Sequence, residues 1–284
     1  MDTVEYCLFR YSLILPSQQS WFHYPVSRTD VFLAALREKA FTRVREGYRW
    51  HIGNVKLFSE TSGYFRIGRT TRTQIEKFDE ESGNFVEEQQ ETSPYTHCVF
   101  DSLIGFIGIA KKSSLSPTPE GIARRIVEVL SRTTPIVENE IEVEIGAIPD
   151  PDSFLREIAE AYAVKKFTAT FHGPNPIDAD EVFQRPLANL LAKAGGKKGR
   201  AELSGDDLDR DVLATLARSS AVTGNEASAR IRRERGKRSV KVNLRGTIVG
   251  AAYDEEQHDP RQVLEELEGL YRRVGQRDET STHR

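Results

Sequence analysis

At 284 residues, 38% hydrophobic and 9% aromatic, the chain has enough apolar mass to fill a core in one large or two ordinary domains, which excludes a disordered polypeptide. Its charged fraction of 29% sums to a formal net charge of −3, and apolar runs such as Val99–Ala110 fall far below the ~20 residues of a membrane span. Only two cysteines occur, Cys7 and Cys98, both in apolar alternation, which excludes a disulfide framework or a zinc site and points to the cell interior.

The opening MDTVEYCLFRYSLIL has no basic leader and carries Asp2 and Glu5, so it reads as a first strand, Val4 to Leu15, and not as a signal peptide. Ser27 to Arg45 supplies a helix starting at Asp30, with Val31, Phe32, Ala35 and Leu36 at helical spacing. Arg49–Phe58, Tyr64–Thr73 and Tyr95–Ala110 read as sheet segments, the last a hairpin around Asp101 and Ser102. Between them EKFDEESGNFVEEQQE sets seven acids against Lys77, the composition of a solvated hairpin tip or loop; it lacks the Gly-centred spacing of a calcium loop.

Lys111–Thr118 is a Ser/Pro-containing connector, and the rhythm changes after it. Pro119–Arg132 predicts a helix capped by Thr118, with Ile122, Ile126, Val129 and Leu130 as its apolar stripe. Strand and helix then alternate through Glu140–Ala147, Pro151–Ala163, Lys165–His172, Asp178–Ala194, Gly199–Ser204 and Asp207–Ser219. Asp152, Asp178 and Asp206 stand where N-caps belong, and Pro186 is expected to bend its helix.

A hairpin follows, with arms Ala227–Arg235 and Ser239–Tyr253 turning at Gly236 and Val240, Val242 and Leu244 on the core side. Asp259 and Pro260 start a closing helix with Val263, Leu264, Leu267, Leu270, Tyr271 and Val274 on one face, ended by Gly275. The resulting expectation is an α+β protein. A β-rich N-terminal domain with one helix (1–112) leads into an α/β sandwich domain (113–275) with a basic hairpin and closing helix, then a disordered tail (276–284).

Chemistry concentrates in ARIRRERGKRSVKVNLR, residues 229–245, where eight basic side chains meet one acid, Glu234. Clustered like charges gain nothing from burial, so Arg230, Arg232, Arg233, Arg235, Lys237, Arg238, Lys241 and Arg245 read as a surface for the phosphates of a nucleic acid. Lys193, Lys197, Lys198 and Arg200 form a second cluster that can extend the same groove. The alternatives are pairing with acids such as Glu265, Glu266 and Glu268, docking on a second subunit or an acidic protein partner, and binding of another anion. AGGKKGR lacks the order of a phosphate loop and precedes a strand, which makes it a helix C-cap and a basic turn. His97 has no partner pair in sequence and His172 precedes a Gly-Pro-Asn-Pro turn, so both read as structural; neither a cofactor nor a catalytic residue is predicted. A metal-dependent nuclease would have Glu142, Glu144 and Asp150 to work with, but no lysine stands two residues after an acid there.

The runs VFDSLIGFIGIAKKSSLSPTPEGIARRIVEVL, NEIEVEIGAIPDPDSFLREI and VKKFTATFHGPNP, within roughly residues 95–275, resemble the phage-exclusion and antiphage-defence DNA-binding proteins of the RexA type and, more distantly, KwaB of the Kiwa system. That resemblance implies a β-rich half followed by an α/β half. It also implies a cytoplasmic homodimer that binds double-stranded DNA with little sequence preference and works beside a membrane protein encoded alongside it. It transfers no site residue; the basic residues above come from charge alone.

Overall fold

A computed structural model describes residues 3–15, 27–45, 47–172, 183–196, 198–254 and 259–275. Lys197, Asp178, the turn after His172 and the tail from 276 lie outside them. Strand β1 (Thr3–Ile14) sends Val4, Tyr6 and Leu8 into one core and Cys7, Phe9, Tyr11 and Leu13 into another, so both its faces are covered. Helix α1 (Arg28–Arg37) is capped by Ser27 and not by Asp30: the Ser27 Oγ accepts the Asp30 backbone N–H at 3.3 Å, which puts the acid in the first turn, where the helix dipole favours it. The helix stops at Arg37, and Phe41–Arg45, expected to continue it, is strand β2, with Thr42 buried between exposed Phe41 and Arg43.

Strands β3 (Tyr48–Leu57), β4 (Ser62–Asp79), β5 (Asn84–Thr92), β6 (Tyr95–Asp101) and β7 (Phe106–Ala110) follow. β4 runs on to Asp79 and pairs along its outer half with β5, so the acidic stretch is a regular two-stranded ribbon that turns at Gly83, φ 67°. In the β6–β7 turn the Asp101 carboxylate accepts the N–H groups of Leu103 and Ile104, and Gly105 takes φ 85°.

Helix α2 (Pro119–Leu130) is capped by Thr118 as expected, and α3 (Thr134–Glu138) and strand β8 (Glu142–Ala147) succeed it. In α4 (Asp152–Ala159) Asp152 is the first helical residue and Pro151 the cap. After β9 (Ala163–His172), helix α5 (Gln184–Lys193) holds Pro186 in its first turn, where no N–H is needed, so the proline does not bend it. Strand β10 (Lys198–Ser204) leads to α6 (Arg210–Val222), whose cap is Asp209, accepting the Val212 N–H at 2.9 Å; Asp206 instead pairs with Lys165 at 3.2 Å. Strands β11 (Ala227–Arg232), β12 (Val240–Asn243) and β13 (Gly250–Asp254) precede the closing helix α7 (Pro260–Gly275).

The fold class is α+β. A nine-stranded sheet runs β13-β1-β7-β6-β4-β3-β2, with β5 on the outer half of β4 and β8 beside β1; a four-stranded sheet runs β10-β9-β11-β12. The 111–118 connector does not divide the hydrogen bonding, because β8 and β13 both return to β1. The second hairpin arm is also shorter than expected: the chain leaves the small sheet after Asn243 and joins the large one as β13. Helices α1, α2 and α3 cover one face of the large sheet, while α6 and α7 fill the space between its other face and the small sheet.

Leu267 of α7 occupies the place a Cβ on Gly108 would take, so that glycine lets helix and sheet approach closely. Nearby Arg10, 2% exposed, donates to the Ile104 carbonyl and, at 2.8 Å, to the Tyr271 hydroxyl, whose ring stacks on Phe106. Among the described residues no helix is long and apolar enough to cross a membrane.

Leu267→Ala removes the side chain that seals this seam and is expected to cost about 2–5 kcal/mol, read as a lower urea midpoint at constant slope. Burial raises the Cys7 thiol to about 11 and pushes the Cys98 thiol well above its ordinary value. Because the thiolate is the reactive form, neither cysteine should react with a thiol reagent at about pH 8 until denaturant is added; prompt reaction in the native protein would show that the sheet opens.

Candidate nucleic-acid interface

The small sheet is built from a strand that carries its own amphipathic code. In β9, Phe167, Ala169 and Phe171 are buried while Lys166 and Thr170 are half-buried on the opposite face with Thr168 between them. A bulge at Lys165 takes two residues of β9 past one step of β11, which lets both Val164 and Phe167 face the core. The register then sets Lys166 beside Arg230 of β11, and Arg230 beside Lys241 of β12. Strands lie about 4.8 Å apart, so three cations stand in one row across the sheet. Like charges directly opposite one another destabilise a sheet, and core packing does not require them there.

The next row on this face is Glu202, Thr168, Ser228 and Asn243, followed by Arg200 beside Thr170 and by Lys198 at the end of β10. The two basic clusters of the sequence therefore meet on one face. Glu226 stands exposed beside Thr170, and Glu202 is the carboxylate paired with the cations: its Oε1 lies 2.6 Å from Lys166 Nζ and its Oε2 3.7 Å from Arg200. The hydrogen bond from Lys166 holds the Glu202 carboxyl below its usual range. Arg200 keeps 65% of its side chain exposed and Lys166 40%, while Arg230, Lys241 and Asn243 are exposed.

The remaining predicted residues divide. Arg235, Lys237 and Arg238 are exposed around the turn, where Gly236 takes φ 80°, and Arg245 is exposed just beyond β12. Arg233 is turned away to Glu157 of α4 at 2.8 Å, and Arg232 is half-buried at the end of β11. Lys197 lies outside the described residues, and Lys193 is exposed at the end of α5. Val242 and Leu244 are buried as expected, whereas Val240, on the same side, is 42% exposed because β12 is a short edge strand. The acids of α7 do not neutralise the hairpin: Glu268 pairs with Arg272 at 3.6 Å, and among the described residues Arg233 is the hairpin cation in an ion pair.

Charge counting in contiguous segments missed Lys166, Thr168, Thr170, Ser228 and Asn243. The alternation of KKFTATFH was the available signal. Gly195, φ 68°, closes α5 ahead of β10, so AGGKKGR is the helix end and turn that its order implied. His97 Nδ1 lies 2.8 Å from the Tyr64 hydroxyl. Glu142 and Glu144 lie on β8 beside β1, and Asp150 accepts the Asp152 N–H at 2.9 Å. Among the described residues, no three His, Cys, Asp or Glu side chains gather as metal ligands, the acidic ribbon included. No protein-family model and no curated protein matches the chain.

This arrangement can hold a polyanion by charge and by hydroxyl and amide donors such as Ser228 and Asn243. Glu202→Gln, which frees Lys166 and Arg200, should therefore tighten nucleic-acid binding and steepen its salt dependence by about one ion. A titration over several salt concentrations checks both, and weaker binding would mean that Glu202 orders the face instead of masking it.

Proposed function

We propose that this protein binds nucleic acid through the polar face of the small sheet, without sequence preference, and in the duplex form that the RexA-type resemblance implies. The observation that carries the reading is the row Lys166, Arg230 and Lys241, three adjacent cations that no described acid other than Glu202 relieves. The exposed turn residues Arg235, Lys237 and Arg238 extend the contact beyond the sheet edge. Basic side chains aimed at phosphates position a duplex but read no base, so affinity follows counterion release.

The setting we propose is an antiviral or phage-exclusion system, with the protein in the cytoplasm as a homodimeric effector or sensor beside a membrane partner. That context rests on the resemblance. A second reading, an adaptor that docks on other proteins, is favoured by a different observation. The β4–β5 ribbon has its β5 arm exposed from Asn84 to Glu91, opposes Glu76 to Glu87, and ends in the exposed ring pair Phe78–Phe85, with centroids 5.2 Å apart. The two readings use different ends of the molecule and can be separated by mutation.

The combined variant Lys166→Glu, Arg230→Glu, Lys241→Glu should weaken binding to all duplex sequences alike and lower the slope of log affinity against log salt by about three. Arg233→Glu, already committed to Glu157, should change binding much less than Arg230→Glu. Unchanged binding by the folded triple variant removes the proposal. In cells carrying the intact system, the same variant should lose protection in a phage plaque assay, while full protection would detach DNA binding from defence.

A further inference from the structure

We infer that the part of the large sheet that no described element covers, away from α7, is a second nucleic-acid site, one that stacks the unpaired bases of a single strand. The register aligns a row of rings across four strands: Phe41 of β2 lies opposite His51 of β3, His51 opposite Gly68 of β4, and Gly68 opposite Tyr95 of β6. Phe41 and Tyr95 are exposed by 46% and 39%. Gly68 is what allows the row to close up, because a Cβ there would lie 2.7 Å from the Pro94 carbonyl and 2.9 Å from the Tyr95 Cβ.

Cations flank the rings on both sides. On one, Arg43 stands opposite Arg49, an unrelieved like-charge pair, and Arg49 lies 6.0 Å from the Phe41 ring. On the other, the Arg66 guanidinium lies 4.3 Å from the Tyr95 centroid, anchored by its Nε donating to the Tyr64 hydroxyl at 2.6 Å. Among the described residues no carboxylate pairs with Arg43, Arg49 or Arg66. Burial and the neighbouring Arg49 lower the His51 pKa, which keeps that ring neutral and suited to stacking.

The chemistry selects the ligand. Phosphates alone would be served by cations without rings, and a stacked duplex hides its base faces, so exposed rings between arginines fit a strand whose bases are free to stack on them. Rows on one face recur about every 7 Å along the strands, which puts cations within reach of the backbone on either side of a base that lies on the ring row.

This inference rests on the nucleic-acid reading above but uses none of its residues, so the two fail separately. The test titrates labelled oligothymidylate and a labelled hairpin duplex against the wild type, the Phe41→Ala, Tyr95→Ala double variant, Tyr95→Phe, and the small-sheet triple variant. The double variant should lose about tenfold in single-strand affinity per ring removed while keeping its duplex affinity, and Tyr95→Phe should bind as the wild type does. The small-sheet variant should lose duplex binding and retain most single-strand binding. Single-strand affinity unchanged in a folded double variant overturns the inference alone, and so does an equal loss on both probes. A smaller oligomer on gel filtration with single-strand affinity intact would make the face a self-association surface and overturn it as well. Absence of binding to either probe by the wild type at low salt would sink both proposals together.

Discussion

Strand β1 must find hydrogen-bond partners along both edges, and that requirement ties the chain together. One edge is met by β7 from Tyr6 to Arg10. The other is met by two strands laid end to end, β13 against Thr3–Cys7 and β8 against Phe9–Ile14, with Leu8 bridging the seam through the carbonyl of Val249 and the N–H of Ile148. A buried strand with an orphaned edge would lose several backbone bonds at once, each costly in an apolar surround. Segments from residues 142–147 and 250–254 therefore have to come back to the first strand, and the small sheet, which lies between them in sequence, is held against the large one from both ends.

The consequence for the site is orientation. Because α6 and α7 fill the space between the sheets, the small sheet spends its apolar face, Phe167, Ala169, Ala229 and Ile231, on that shared core. Its other face is left to polar residues, and the alternation of β9 and β11 decides which ones. The Lys165 bulge matters here: without it, Val164 and Lys166 would share a face, and Lys166 would fall on the core side whenever Val164 did. A one-residue irregularity thus sets the cation at the β9 end of the row.

Local signals were legible where local chemistry decides. Thr118 before Pro119 marked the start of α2, Pro260 and Gly275 bounded α7, and Gly236 marked the hairpin turn. Phe41–Arg45 was not legible, since Phe41 and Val44 fit a helical face as well as a strand and only pairing with β3 chooses between them. The fate of Gly250–Asp254 was equally hidden, because an apolar run beside a hairpin gives no hint that its partner is the first strand of the chain. The site followed the same rule. Residues 229–245 stood out as a contiguous charge cluster, whereas Lys166 entered through register, and Phe41, His51 and Tyr95 became neighbours only when four strands aligned.

Net charge and local charge point in opposite directions in this protein, and the geometry of β4 shows how both persist. The strand carries Arg66 over the body of the large sheet and Glu76 on the ribbon, and at about 3.3 Å per residue these lie about 33 Å apart. That distance is several times the screening length of about 8 Å at physiological salt, so the carboxylates toward the tip of the ribbon do not neutralise the arginines at its base. On the proposed reading, they repel an approaching polyanion from the arm while the arginine and lysine rows attract it to the sheet faces. The nearest opposition, Arg72 against Glu91 at the root of the ribbon, marks where one field gives way to the other. On that reading, a single strand on the ring row runs across β2, β3, β4 and β6, the direction in which the rings are aligned.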